Sequence, residues 1–340
     1  MKTIVLDKPG AFRLASTQPP GRPGPGEALV RVRRVGICGT DLHAFKGEQP
    51  FFEYPRILGH ELGVEVVELG SMTGDLALSV GDLCSVEPYL NCGRCLACRR
   101  GQTNCCERLR VLGVHTDGGM REYLTLPANK LLPSTNVPVD QLALVEMLCI
   151  GAHANRRAAP EPGENVLVIG AGPIGLSAIQ FAKLTGANVM VMEMSDTRLE
   201  FCQRNLGIET AIDAKGDALA QIRATLNGDL PTIVFDATGS PRSMMGAFQY
   251  VANGGKLVFV GLFQGDVTFN DPEFHRREMT LMSSRNATRA DFDHVMANLE
   301  AGAINLAPWI THRASPEELV EQFDSWTDPN AGVVKAMLEI

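Results

Sequence analysis

The amino-acid sequence predicts a two-domain α/β chain, a β-rich barrel or sandwich followed by a doubly wound parallel sheet. Three observations carry this reading. Up to about residue 150, short stretches alternating apolar and polar residues are broken by Gly and Pro. From Asn165 onward, apolar β-rich runs alternate with helical stretches. The first of those runs leads straight into a glycine-rich turn. The length, 340 residues, allows two domains or three at roughly 150 residues each.

Taken in order, Pro19–Gly26 (PPGRPGPG) cannot be helical. Beyond it, Val30-Arg31-Val32-Arg33 and Val64-Glu65-Val66 alternate with period two, the pattern of half-buried strands. Such short strands predict a barrel or sandwich. The later part reads as VLVIG, a helix to about Gly186, NVMVME, and a helix from Asp196 to Leu206. Strands at 232–239 and 256–261 follow, with a helix between them opened by Ser240 as N-cap and Pro241 in its first turn. Regular β-α alternation implies a parallel sheet covered on both faces. The segment from about 287 to 340 holds two helices and a terminal strand, and Ser315-Pro316-Glu317-Glu318 starts the second helix as a capping box.

Thirty-one Lys and Arg against 39 Asp and Glu give a net charge of −8. That balance argues against a nucleic-acid or anionic-membrane binder, whose affinity rests on basic surface. The longest uncharged stretch, Asn165–Ala182, has the length of a membrane span, but Gly170, Gly172, Pro173 and Gly175 suit a strand–turn–helix better. The N-terminal MKTIVLDKPG has no apolar signal core. The expectation is a cytoplasmic chain that binds neither nucleic acid nor membrane.

Gly170-Ala171-Gly172-Pro173-Ile174-Gly175 is a G-x-G-x-x-G between strand and helix, with Glu193 eighteen residues beyond it at the end of the next strand. This is the context a dinucleotide fingerprint requires. Gly170 permits the turn, Gly172 lets a pyrophosphate approach the backbone, and Gly175 lets the helix pack closely. The helix N-terminus then offers free N–H groups to phosphate. Glu193 would accept hydrogen bonds from the adenosine ribose and repel a 2′-phosphate, so NAD is favoured, while the nearby Arg198 leaves NADP open. A plain strand–helix turn with an exposed Glu is the alternative.

Nine cysteines without a secretory context do not read as a disulfide scaffold. Cys92, Cys95, Cys98 and Cys106 supply four thiolates within fifteen residues, flanked by Gly93 and Gly101 for sharp turns. Four soft ligands make a closed tetrahedral zinc site with a structural role. A redox CxxC or an iron–sulfur cluster is the alternative, and Cys105 reads as a bystander.

Three further pieces stand together: Gly36-Ile37-Cys38-Gly39-Thr40-Asp41-Leu42-His43, then Gly59-His60-Glu61, then Glu146 in ALVEMLCIGAHA. With these the chain resembles, over essentially its whole length, the zinc-dependent medium-chain alcohol and polyol dehydrogenase family. The resemblance implies a GroES-like catalytic domain over 1–150, a Rossmann NAD-binding domain over 151–286, and a return of 287–340 to the first domain. It implies that Cys38 and His60 are catalytic zinc ligands, that Glu61 binds the zinc or stands behind it, and that Glu146 is the third ligand of the polyol branch. Thr40 and His43 match the family's proton relay, and the four clustered cysteines match its structural zinc lobe. Thr238 in Asp236-Ala237-Thr238-Gly239, and Val260 and Leu262 in Val260-Gly261-Leu262, resemble the strands beside the nicotinamide. Ser284 and Asn286 in Ser284-Arg285-Asn286 resemble a segment near the same ring, and Lys335 a basic residue at the pyrophosphate.

The sequence departs from the family in places. Gly63 stands one residue before the usual Gly position, held here by Val64, and Met147 replaces the Pro usual after the Glu. The threonine branch usually has Asp where Glu146 stands. The implied activity is hydride transfer to NAD from a secondary alcohol of a polyol or sugar-derived acid, with two zinc ions per chain in a homodimer or homotetramer. Rival readings are a threonine-, aldehyde- or simple-alcohol-type dehydrogenase, a zinc-free quinone reductase of the same fold, and a non-catalytic NAD- or zinc-binding regulator.

Overall fold

The computed structural model describes residues 1–49, 52–71 and 77–340. The chain separates into two units, the first made of Met1–Glu146 with Thr288–Ile340 and the second of Met147–Ala287. The expected boundaries were 150 and 286; the breaks fall at the start of the helix Val145–Ala158 and just before the helix Arg289–Glu300.

The first unit is organised by the long strand Glu27–Ile37. It pairs antiparallel with Glu61–Leu69, with Tyr123–Pro127 and, at its end, with the terminal strand Lys335–Glu339. The sheet continues through Leu83–Val86 to Leu131–Pro133 on one side and to Ile310–Ala314 on the other. The alternation read in the sequence is the burial pattern: Val30, Val32, Val64 and Val66 are buried in one apolar core, while Arg31 is exposed. Phe12, Phe45 and Phe323 pack on each other at the margin of that core, with ring centroids 4.8–5.4 Å apart. Thus the C-terminal segment supplies both a strand and a core aromatic to the N-terminal sheet.

The second unit is a six-stranded parallel sheet in the spatial order Thr210–Asp213, Asn188–Glu193, Asn165–Ile169, Ile233–Asp236, Lys256–Phe259 and Thr280–Ser283. The chain starts in the middle, winds outward to one side, then crosses back beside Asn165–Ile169 and winds to the other. The central runs Val166–Ile169 and Ile233–Asp236 are buried throughout, as a sheet covered on both faces demands. The helices Pro173–Leu184 and Asp196–Leu206 lie where the sequence puts them. No helix among the described residues is long and apolar enough to cross a membrane.

At the edge of the first unit Asp140 holds two arginines. Arg34 Nε donates to Oδ1 at 2.7 Å and Arg313 Nη2 to Oδ2 at 2.6 Å, while Arg313 Nη1 also donates to Glu339 at 2.5 Å. Partial burial pushes the Asp140 carboxyl up, but the hydrogen bonds from Arg313 and Arg34 outweigh it and hold it below the usual aspartate value. A depressed folded-state pKa contributes stability above the unfolded value and loses it as pH falls through the folded one. Asp140→Asn is therefore expected to lower the unfolding free energy by about 1 kcal/mol at pH 7. In urea titrations the gap between variant and wild type should close as the pH drops below about 4.

Candidate active site

The strand Glu27–Ile37 ends at Cys38, which caps the helix Gly39–Lys46. Cys38 N–H donates to Asp41 Oδ2 at 2.9 Å, fixing the backbone from which the thiol projects. On the neighbouring strand Glu61–Leu69, Glu61 is in register with Gly36, and His60 immediately precedes it. A Cβ at Gly36 would lie 2.2 Å from Glu61 Oε2, so only glycine leaves room for that carboxylate. One ligand atom each from Cys38, His60 and Glu61 then lies within 4.8 Å of the others.

His60 and Asp41 are buried, and His60 Nδ1 lies 3.9 Å from Asp41 Oδ1, with neither atom otherwise partnered among the described residues. Burial alone would push the His60 imidazole down. Its anionic neighbours Cys38, Asp41 and Glu146 prevail and raise it well above its ordinary value. The cluster thus carries a surplus of negative charge that a dication would neutralise, and it offers thiolate, imidazole and carboxylate donors. That donor set fits zinc with a position left open.

Glu146 lies beside this group but outside the 4.8 Å set. It is buried, and it accepts the hydrogen bond of the Tyr89 hydroxyl. Burial, the largest influence, raises its pKa, and the negative Glu61 adds to that against the opposing pull of His60. Thr40 and His43 sit three residues apart on the helix Gly39–Lys46, hence on one face. Thr40 is half-buried; His43 is exposed, its Nδ1 3.2 Å from Glu48 Oε2.

Lys335 corrects an expectation. Rather than reaching toward a cofactor, it is 2% exposed, and its ammonium donates to both oxygens of Glu61, at 2.7 and 2.8 Å, and to the Ile37 carbonyl at 3.1 Å. A buried ammonium must be paired, and the strand Lys335–Glu339, lying against Glu27–Ile37, carries it to its partner.

Cys92, Cys95, Cys98 and Cys106 also converge within 4.8 Å. Cys106 Sγ accepts N–H bonds from Cys92 at 3.2 Å and Arg108 at 3.4 Å. The N–H groups of Arg94 and Cys95 pull the Cys92 thiol down to about 6, while burial pushes the Cys98 thiol up to about 11. Four such donors fit a closed zinc site. The exposed Cys105 stays outside the group.

In the second unit the expected cofactor residues gather at the carboxyl ends of the parallel strands. Gly170 turns at φ +92° after Asn165–Ile169, and a Cβ at Gly175 would stand 1.8 Å from Gly170 O. The helix opens with Gly172 at its N-cap, Pro173 next and Ile174 in the first turn. A Cβ at Gly172 would meet only Arg198 Nη1, at 3.8 Å, so the backbone there is open to a ligand. Glu193 Oε2 accepts from Ala171 N–H at 2.8 Å, while Oε1 accepts from Met194 at 2.7 Å and Ser195 at 3.0 Å. Across the chain reversal, Asp236 accepts from the Thr238 N–H and hydroxyl at 2.9 and 2.7 Å and from the Ser243 hydroxyl at 2.5 Å. Val260 and the 77%-exposed Leu262 follow the next strand. Ser284, buried with Oγ unpartnered among the described residues, and Asn286 at φ +50° follow the last. Such a switch point is where open α/β sheets bind ligands.

Sequence reasoning missed four of these groups. Asp41 stands at the third helical position after Cys38, a spacing that marks a helix N-terminus. Asp236 ends an otherwise apolar buried strand, where an acid requires partners. Ser243 and Tyr89 carry no signal in the sequence. Lys335→Met, which leaves Glu61 buried and unpaired, is expected to cost roughly 3–5 kcal/mol in urea unfolding. Adding Glu61→Gln should recover part of that loss; a double variant as unstable as the sum of both singles would refute the pairing.

The chain is similar in sequence and fold to known dehydrogenases. Residues 24–138 match the alcohol dehydrogenase GroES-like domain and residues 173–301 the zinc-binding dehydrogenase family. The chain is 45% identical over 316 residues to L-galactonate-5-dehydrogenase of Escherichia coli K12, covering 93% of this chain and 92% of that protein. It is 34% identical to L-threonine 3-dehydrogenase of Pyrococcus horikoshii, covering 100% and 99%. The crystal structure of an Escherichia coli CFT073 alcohol dehydrogenase complexed with NADH superposes with a TM-score of 0.92 at 30% identity, covering 100% and 99%. The chain therefore belongs to the zinc-binding alcohol dehydrogenase family and is a dehydrogenase acting on CH–OH groups.

Proposed function

We propose that this dehydrogenase oxidises a secondary alcohol of a sugar-derived acid or polyol to a ketone, with NAD as hydride acceptor and two zinc ions per chain. The observation that carries the reading is the convergence of Cys38, His60 and a carboxylate within 4.8 Å, on the same strand ends that lead into Thr40 and His43. The greater identity to the sugar-acid dehydrogenase than to the threonine enzyme, 45% against 34%, supports the substrate class.

Cys38, His60 and one acidic residue would hold the catalytic zinc. Of the two acids, we assign the ligand role to Glu146 and the counter-charge role to Glu61. Releasing Glu146 breaks one hydrogen bond from a neutral hydroxyl, whereas releasing Glu61 breaks a buried ion pair. Zinc supplies Lewis acidity that lowers the pKa of a bound hydroxyl. The Thr40 hydroxyl would take the substrate proton while passing its own along the relay, and the exposed His43 would return that proton to solvent. Asp41, whose Oδ1 lies 3.9 Å from His60 Nδ1, would supply the carboxylate behind that imidazole.

In the second unit the N-terminus of the helix Pro173–Leu184 receives the pyrophosphate and Glu193 the adenosine ribose. The Glu193 carboxylate, held by three N–H groups, disfavours a 2′-phosphate. The same reading makes the enzyme a cytoplasmic homodimer or homotetramer. His60→Ala is expected to abolish activity and to leave one zinc per chain by elemental analysis. NAD reduction should appear with aldonates or polyols and yield a ketone. Turnover of L-threonine alone would overturn the substrate class, and loss of both zincs from His60→Ala would overturn the two-site reading.

A further inference from the structure

Beneath the four-cysteine lobe lies a buried charge pair that neither the catalytic site nor the cofactor cradle uses. Glu87, 3% exposed, follows the strand Leu83–Val86, and Lys130, 9% exposed, ends the short turn Ala128–Lys130. Lys130 Nζ donates to Glu87 Oε1 at 2.5 Å, and Glu87 N–H donates to the Lys130 carbonyl at 2.8 Å. The same ammonium donates to Asn91 Oδ1 at 3.2 Å, and Asn91 Nδ2 donates to Cys98 Sγ at 3.8 Å.

The order of these atoms is chemically determined. An ammonium only donates, so the Asn91 oxygen must face Lys130 and the amide N–H₂ must face away from it. The direction in which it faces is the Cys98 sulfur. Four thiolates around a dication leave a net charge of −2, and N–H groups aimed at the sulfurs stabilise that charge. For Cys106 backbone N–H groups serve this purpose; Cys98 receives a side-chain amide, polarised by the ammonium behind it.

We propose that Glu87, Lys130 and Asn91 form a positioning relay that anchors the four-cysteine zinc lobe to the sheet of the first unit and retards release of its metal. Asn91 is the positioning residue at the sulfur, and Lys130 and Glu87 act through it. The inference rests on the lobe holding zinc.

The test uses the two-zinc holoenzyme, with release of each zinc to a chromophoric chelator followed in time, and with cadmium-113 NMR of the metal-exchanged protein. Asn91→Leu should release one zinc ~10–100-fold faster, shift the tetrathiolate cadmium resonance and leave the second metal unchanged. Lys130→Met should do the same, with the double variant no worse than either single, because both break one relay. Lys130→Arg, which keeps a donor for Asn91, should stay near the wild-type rate. If Lys130→Met fails to fold, Asn91→Leu carries the test, since it strands no charge. A wild-type chain with one zinc would overturn the lobe reading and this inference with it. Two zincs in the wild type, with unchanged release and an unshifted resonance in Asn91→Leu, would overturn the relay alone.

Discussion

Buried negative charge is the constraint around which the first unit is arranged. Cys38, Asp41, Glu61 and Glu146 are crowded at the inner ends of two paired strands, and the three carboxylates are at most 5% exposed. Isolated, each would be costly to bury. Each has its own counterpart: Lys335 for Glu61, the Cys38 N–H for Asp41, and the Tyr89 hydroxyl for Glu146. The Lys335 pair depends on the chain coming back to this unit after Thr288. Without the return, the strand Lys335–Glu339 would not lie against Glu27–Ile37, and Glu61 would be a naked charge in the core. The returning segment thus completes the charge balance of the site.

The second unit meets a different constraint, closeness of backbone to backbone. The helix after the glycine-rich turn comes so near the turn that a Cβ at Gly175 would overlap the Gly170 carbonyl. That contact draws the first helical N–H groups to the mouth of the turn, where Glu193 braces the Ala171 N–H from the side. Asp236 does the equivalent across the reversal, tying Thr238 and Ser243 to the end of its strand. Both acids sit at strand ends, one half-exposed and one buried. The half-exposed one braces the turn from its side, while the buried one shapes the loop beneath.

What the sequence disclosed depended on whether a signal is local. The four cysteines, the glycine-rich turn and the strands Asn165–Ile169 and Asn188–Glu193 are legible because their spacing alone expresses the chemistry or the period. The strands Thr210–Asp213 and Thr280–Ser283 are not; each has four residues, and the latter lies on the sheet edge with its side chains largely exposed, so no apolar run marks it. Lys335 was misread for another reason. Its partner is 274 residues away, and a lysine near a chain end carries no trace of burial. Tyr89 is silent in the same way, since only the fold brings it to Glu146. Spacing revealed the residues that could bind metal; the residues that keep them charged and oriented emerged from long-range pairing.

The two metal-binding groups differ in how their donors are committed, and this separates their roles. In the lobe all four thiols face one another, and the hydrogen bonds they receive leave the sulfurs free to ligate. Such a set closes around an ion and leaves no position for a substrate. At the strand ends only Cys38 and His60 are uncommitted in this sense. Both nearby carboxylates are already engaged, Glu61 by an ammonium and Glu146 by a hydroxyl. An ion there would gain a third ligand only by drawing one acid from its partner, and the weaker hold of Tyr89 would make Glu146 the acid to move. Glu146 is held by one neutral hydroxyl and Glu61 by a buried ammonium, so the two acids differ in how readily either would turn toward an ion.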